Sequence, residues 1–203
     1  MRRRSRAWRL LPLAGAALLV PTGAEAHLVQ TGFGPFYDGI SHLALTPDDL
    51  LSVVALALLA GLCGPRAGRL ALFALPGAWL AGGVVGLARP VVDASPVLTT
   101  LSFLILGVMV VAGRPVPAAW VAAIAGAFGF VHGFLNGAAM ARVGLGFVGL
   151  LGIIAAVFAL VTLLAALVVS RRRPWDRVAV RVAGSWITAV GLLMLGWLFR
   201  GSA

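Results

Sequence analysis

The chain has 203 residues, 61% of them hydrophobic and 11% charged, with a mean hydropathy of +1.05. That composition excludes a soluble globular domain and fits a chain built mostly of membrane-spanning helices. The formal net charge of +10 comes from arginines alone, scattered between apolar segments rather than gathered on one face, which excludes a nucleic-acid partner; the single Cys63 excludes an intrachain disulfide.

Residues 1–26 have the three parts of a secretory signal peptide: a basic start (Arg2, Arg3, Arg4, Arg6, Arg9), an apolar centre from Leu10 to Val20, and the small-residue cleavage site Ala24-Glu25-Ala26. Cleavage leaves His27 as the first residue and removes five arginines and Glu25, so the remaining charge falls to about +6. A freed α-amino group beside the His27 imidazole makes a bidentate nitrogen site suited to nickel or copper.

A polar segment comes next, Tyr37-Asp38-Gly39-Ile40-Ser41-His42, followed by Thr46-Pro47-Asp48-Asp49 at the mouth of the first apolar stretch. Asp38 and His42 are four residues apart and adjacent if locally helical. Thr46 reads as an N-cap, Pro47 as N1, and Asp48 and Asp49 as acids complementing the positive end of the helix dipole, which accounts for them structurally without any ligand role. Pro47 argues against one continuous helix through His42 and Asp49.

Six apolar stretches follow, at about 47–64, 70–88, 96–113, 117–138, 145–169 and 179–199. Each approaches the roughly 20 residues that cross the hydrocarbon, so residues 27–203 form one six-helix transmembrane domain of all-α class. Loops placed inside by a cleaved signal carry eight arginines (66, 69, 114, 171, 172, 173, 177, 181) and those placed outside carry three (89, 142, 200), which agrees with both termini being extracytoplasmic. The expected location is a bacterial inner membrane, multi-pass. Gly82 and Gly86, and Gly129, Gly133 and Gly137, repeat at the spacing that lets helix backbones approach closely in lipid. Pro76 predicts a kink in the second stretch.

The fourth stretch carries His132 and, one turn on, Asn136. An imidazole in hydrocarbon must find a partner or a watered cavity. On the expected topology His27, His42 and His132 all lie toward the outer side, so a shared pocket with Asp38, Asp48, Asp49 and Asn136 becomes a candidate metal site. An interhelical hydrogen bond that merely locks the bundle explains His132 and Asn136 equally.

His27, Gly-Pro-x-Tyr-Asp-Gly-x-x-His at 34–42, Pro47-Asp48-Asp49 and His-Gly-x-x-Asn-Gly at 132–137 resemble the HupE/UreJ hydrogenase and urease accessory membrane proteins, in a divergent branch. Central members carry His-Gly-x-x-His-Gly-x-Glu in the later helix; here Asn136 and Ala139 replace the second histidine and the glutamate. The resemblance implies a secondary permease for a divalent transition-metal ion, nickel first and cobalt second. Such a permease supplies metalloenzyme maturation with no resident cofactor, and its candidate partners are a metallochaperone or the hydrogenase/urease maturation proteins. A non-transporting scaffold or assembly factor is the alternative. An intramembrane protease is a minor one: Ser185 is not in a nucleophile motif and no histidine follows His132 to serve as base, so no enzyme is expected.

Overall fold

A computed structural model describes residues 31–90, 94–171 and 173–200; the expected signal peptide and His27 lie outside these. The described residues form seven helices and no strand: α1 (Pro35–Leu45), α2 (Pro47–Leu62), α3 (Pro65–Leu87), α4 (Pro96–Ala112), α5 (Ala118–Arg142), α6 (Gly146–Ser170) and α7 (Pro174–Arg200). Five begin on proline, whose fixed φ suits the first helical position and whose missing N–H would be unpaired there in any case. Gly113 ends α4 in the left-handed conformation, which a side chain would disfavour.

Four helices, α3, α5, α6 and α7, are long and apolar enough to cross a membrane, a count that rises to five where the bent pair α1 and α2 is taken as one broken span, against the six expected. The remaining expected crossing, α4, has 17 residues. Helix α1 is a departure from the expected loop before the first span. It packs antiparallel on α6, where a Cβ on Gly39 would collide with the Gly149 carbonyl and one on Gly152 with that of Phe36. The axis turns by 77° between α1 and α2, as Pro47 predicts. Thr46 occupies the cap position, but its hydroxyl donates to the His42 carbonyl at 2.7 Å rather than to the α2 amides. It therefore closes α1 instead of capping α2. Pro76 sits inside α3, which continues as one helix to Leu87.

Contacts set the direction of every segment. Gly129, Gly133 and Gly137 of α5 press in order on Leu75, Trp79 and Gly83 of α3, while Gly82 and Gly86 press back on Phe130 and Phe134, so α3 and α5 run parallel with backbones touching. Gly107 and Gly184 pack α4 antiparallel against α7, and Gly61 lays the end of α2 on Ala165 and Val168 near the end of α6. Helices α2, α4 and α6 thus run one way and α3, α5 and α7 the other. Trp79, Phe103, Leu56, Leu106 and Ile153 fill the centre, whereas Trp186, Leu193, Phe73 and Leu163 face outward, as expected where hydrocarbon is the solvent. Exposed Trp120 and Trp175 mark one end and Trp197 and Phe33 the other, at the depths where aromatic belts lie.

This packing makes a direct comparison of two glycines on α5 informative. Gly137→Ala places a methyl on the Gly83 carbonyl, whereas Gly126 faces open space. Thermal unfolding in detergent should show Gly137→Ala destabilised by about 1–3 kcal/mol and Gly126→Ala unchanged; equal melting of the two variants would contradict the α3–α5 contact.

Candidate functional site

Asp49, Ser52, Ser102, His132 and Asn136 are apolar-core neighbours by position yet polar by chemistry, and the fold gathers all five. Asp49 lies in the first turn of α2 and Ser52 three residues later on the same face; Ser102 is in the second turn of α4; His132 and Asn136 are one turn apart near the end of α5. These positions meet because α2 and α4 start at the end of the bundle where α5 finishes.

His132 is 1% exposed and Asp49 4%. The imidazole Nδ1 and Asp49 Oδ1 share a hydrogen bond of 2.5 Å. Asn136 Nδ2 donates to Asp49 Oδ2 at 2.8 Å and to the His132 carbonyl at 2.9 Å. On the other side of the ring, Nε2 is 2.8 Å from Ser102 Oγ and 3.5 Å from Ser52 Oγ, and the two hydroxyls are 2.9 Å apart. Ser102 also donates to the Thr99 carbonyl at 2.6 Å. The Trp79 indole packs beside the imidazole with ring centroids 5.6 Å apart. Three buried polar atoms of the described residues, Trp79 Nε1, Thr100 Oγ1 and Asn136 Oδ1, make no hydrogen bond.

His42 stands beside this cluster, with Asn136 and the carboxylates of Asp49 and Asp48 acting on its imidazole. Of the expected residues, Asp49, His132 and Asn136 are joined by direct hydrogen bonds. Asp38 takes another role: its Oδ1 accepts from both the amide and the hydroxyl of Thr31 at 2.6 Å, which ties the segment before α1 to that helix. Met140 is fully buried in the core and Cys63 is a free thiol at the opposite end of α2. Ser185, the serine weighed for a protease, donates to the Arg181 carbonyl on exposed α7.

An apolar groove of about 260 Å³ between α4 and α5, walled by Leu98, Ile105, Phe128 and Val131, reaches His132 and Ser102. Among the described residues no group of three or more His, Cys, Asp or Glu side chains is placed to hold a metal ion. The polar cluster is closed because each helix offers one or two short polar side chains that reach one another before they reach water.

Ser52 and Ser102 were missed by sequence reasoning. Ser52 carried a signal, lying three residues after Asp49 on one helical face; Ser102 had none beyond being a hydroxyl in an apolar helix.

These features define a multi-pass helical membrane protein with an imidazole–carboxylate–amide cluster buried near one end of its bundle. The chain belongs to the HupE/UreJ family, whose model, described as HupE / UreJ protein, matches residues 15–194. No curated protein and no solved structure matches it.

The Asp49–His132 contact should couple energetically. In a double-mutant cycle of Asp49→Ala and His132→Ala, read from reversible unfolding in detergent, the two losses should fail to add by about 1 kcal/mol; strict additivity would show that the bond contributes nothing.

Proposed function

We propose that the chain is a secondary permease carrying a divalent transition-metal ion, nickel first and cobalt second, across the membrane to supply metalloenzyme maturation. Two things support this reading: membership of a family associated with nickel and cobalt transport in accessory roles, and the buried Asp49–His132–Asn136 cluster. The cluster is the observation that carries it. Imidazole nitrogen with carboxylate and amide oxygen suits nickel or cobalt, and ionisable groups inside a bundle mark ion paths more often than packing.

In this proposal the ion arrives at His42 and Asp48, with His27 as a further ligand near the outer face. It then displaces the hydrogen bonds around Asp49 and is held briefly by Asp49, His132 and the Asn136 oxygen. Ser52 and Ser102 receive the imidazole on its inner side. Few ligands mean weak binding and ready release, which a carrier requires. The mature termini lie outside, Asp38 fixes the entrance segment, and no resident cofactor takes part. Partners are the ion, the bilayer and the maturation proteins that take up the metal.

A second reading has its own observation. Asp49, His132 and Asn136 are joined by direct hydrogen bonds, and the groove that reaches His132 is apolar, which a non-transporting scaffold also requires.

Nickel uptake by proteoliposomes separates the two. Wild-type protein should accumulate nickel, and Asp49→Asn, nearly isosteric, should cut the initial rate roughly tenfold or more at unchanged protein level. Wild-type vesicles that move neither nickel nor cobalt would exclude the permease and leave the scaffold.

A further inference from the structure

The end of the bundle away from Asp49 carries most of the positive charge: Arg66, Arg69, Arg114, Arg171, Arg173, Arg177 and Arg181 face a single described acid, Asp176. A cavity of about 300 Å³ opens there where the Gly64–Pro65 turn, the end of α6 and the start of α7 meet, with Arg171 and Arg177 in its wall. The guanidinium of Arg177 makes one long bond, 3.4 Å to the Leu62 carbonyl, so most of its donors are available. Arg171 is exposed, and its side chain bonds to no described residue. Asp176 also borders the cavity, but its Oδ2 accepts from the Arg173 amide at 3.1 Å and is held to its own helix start. The N-terminus of α3 adjoins the same space and favours an anion.

A second cavity continues from the first and shares Pro65 and Val169 with it. It is an apolar groove of about 220 Å³ along α3 and α6, walled by Leu72, Ala165 and Ala166. Gly68 lines it, with room to spare: a methyl there would sit 3.8 Å from Ala165. Trp175, 64% exposed, places this end of α7 at headgroup depth. A paired-donor pocket at that depth, leading into a hydrocarbon-lined groove, has the two-part chemistry of a phospholipid.

We propose that this is a binding site for an anionic glycerophospholipid, whose phosphate is held by Arg171 and Arg177 and one of whose acyl chains lies in the groove beside Gly68. Inorganic phosphate shares the headgroup chemistry, but it has no use for the groove. The site is separate from the metal reading, and its test contains no metal, so either can fail alone.

Native mass spectrometry of the full chain in detergent, offered phosphatidylglycerol and phosphatidylcholine with identical acyl chains, tests it. Phosphatidylglycerol should be retained preferentially. Arg171→Gln and Arg177→Gln should each lower that retention roughly fivefold, and Arg177→Lys, which keeps the charge and the fold but loses the planar fork, should lower it less. Gly68→Leu, which fills the groove, should weaken both lipids alike. Arg66→Gln, exposed at the same end outside both cavities, should change nothing. Equal retention of the two lipids, an Arg66→Gln loss as large as that of Arg177→Gln, or displacement of the lipid by millimolar inorganic phosphate would each overturn the proposal.

Discussion

The contact on which the rest of this molecule depends is the one between the Asp49 carboxylate and the His132 imidazole, both almost completely removed from solvent. A lone carboxylate moved into a low-dielectric interior is prohibitively costly, and it is tolerated only with a partner and with its remaining lone pairs satisfied. Both conditions are met here by side chains of α5: His132 takes one oxygen and Asn136 the other. Removing any one member leaves the others buried and unpaired, so the cluster fixes the register of α2 against α5. Ser52 and Ser102 extend that constraint to α4.

Such a cluster can form only if α5 is held firmly in place, and the glycines of α3 and α5 do this. Their backbones meet with no side chain between them, so α5 cannot rotate without losing the fit of Gly133 on Trp79 or Gly137 on Gly83. Because His132 and Asn136 alternate with these glycines along the same helix, the faces that lock α5 to α3 also aim its polar residues at α2 and α4. Small residues supply the packing and the few polar ones supply the specificity, a division expected where lipid offers no hydrophobic drive between helices.

Much of this was legible in the sequence. The hydropathy and the arginine spacing pointed to an all-helical, multi-pass chain whose segments alternate in direction, and the glycine spacing marked α3 and α5 as helices able to approach a neighbour closely without saying which. His132 with Asn136 stood out because an imidazole is conspicuous in an apolar helix. The choice between Asp48 and Asp49 was not legible: both suit the first turn of α2, and only the inward azimuth of Asp49 decides it. Helix α1 was hidden because its glycines and polar residues read as a loop, and it is held by packing on Gly149 and Gly152 that lies more than a hundred residues away. The closure of the site was hidden too, since short hydroxyls such as Ser102 commonly bond to their own backbone and leave no pattern.

The closed cluster and the proposed passage of a cation are compatible if the ion replaces protons and hydrogen bonds at the same atoms. Asn136, which donates to Asp49 through Nδ2 and acts on the His42 imidazole, has a buried side-chain oxygen that a cation beside Asp49 would take as a ligand. X-ray absorption at the nickel edge, recorded on purified protein saturated with nickel, tests this claim most directly. The account predicts an all nitrogen–oxygen shell with imidazole scattering that loses one imidazole in His132→Ala. A spectrum identical in wild type and His132→Ala would show that nickel is held elsewhere and would contradict it.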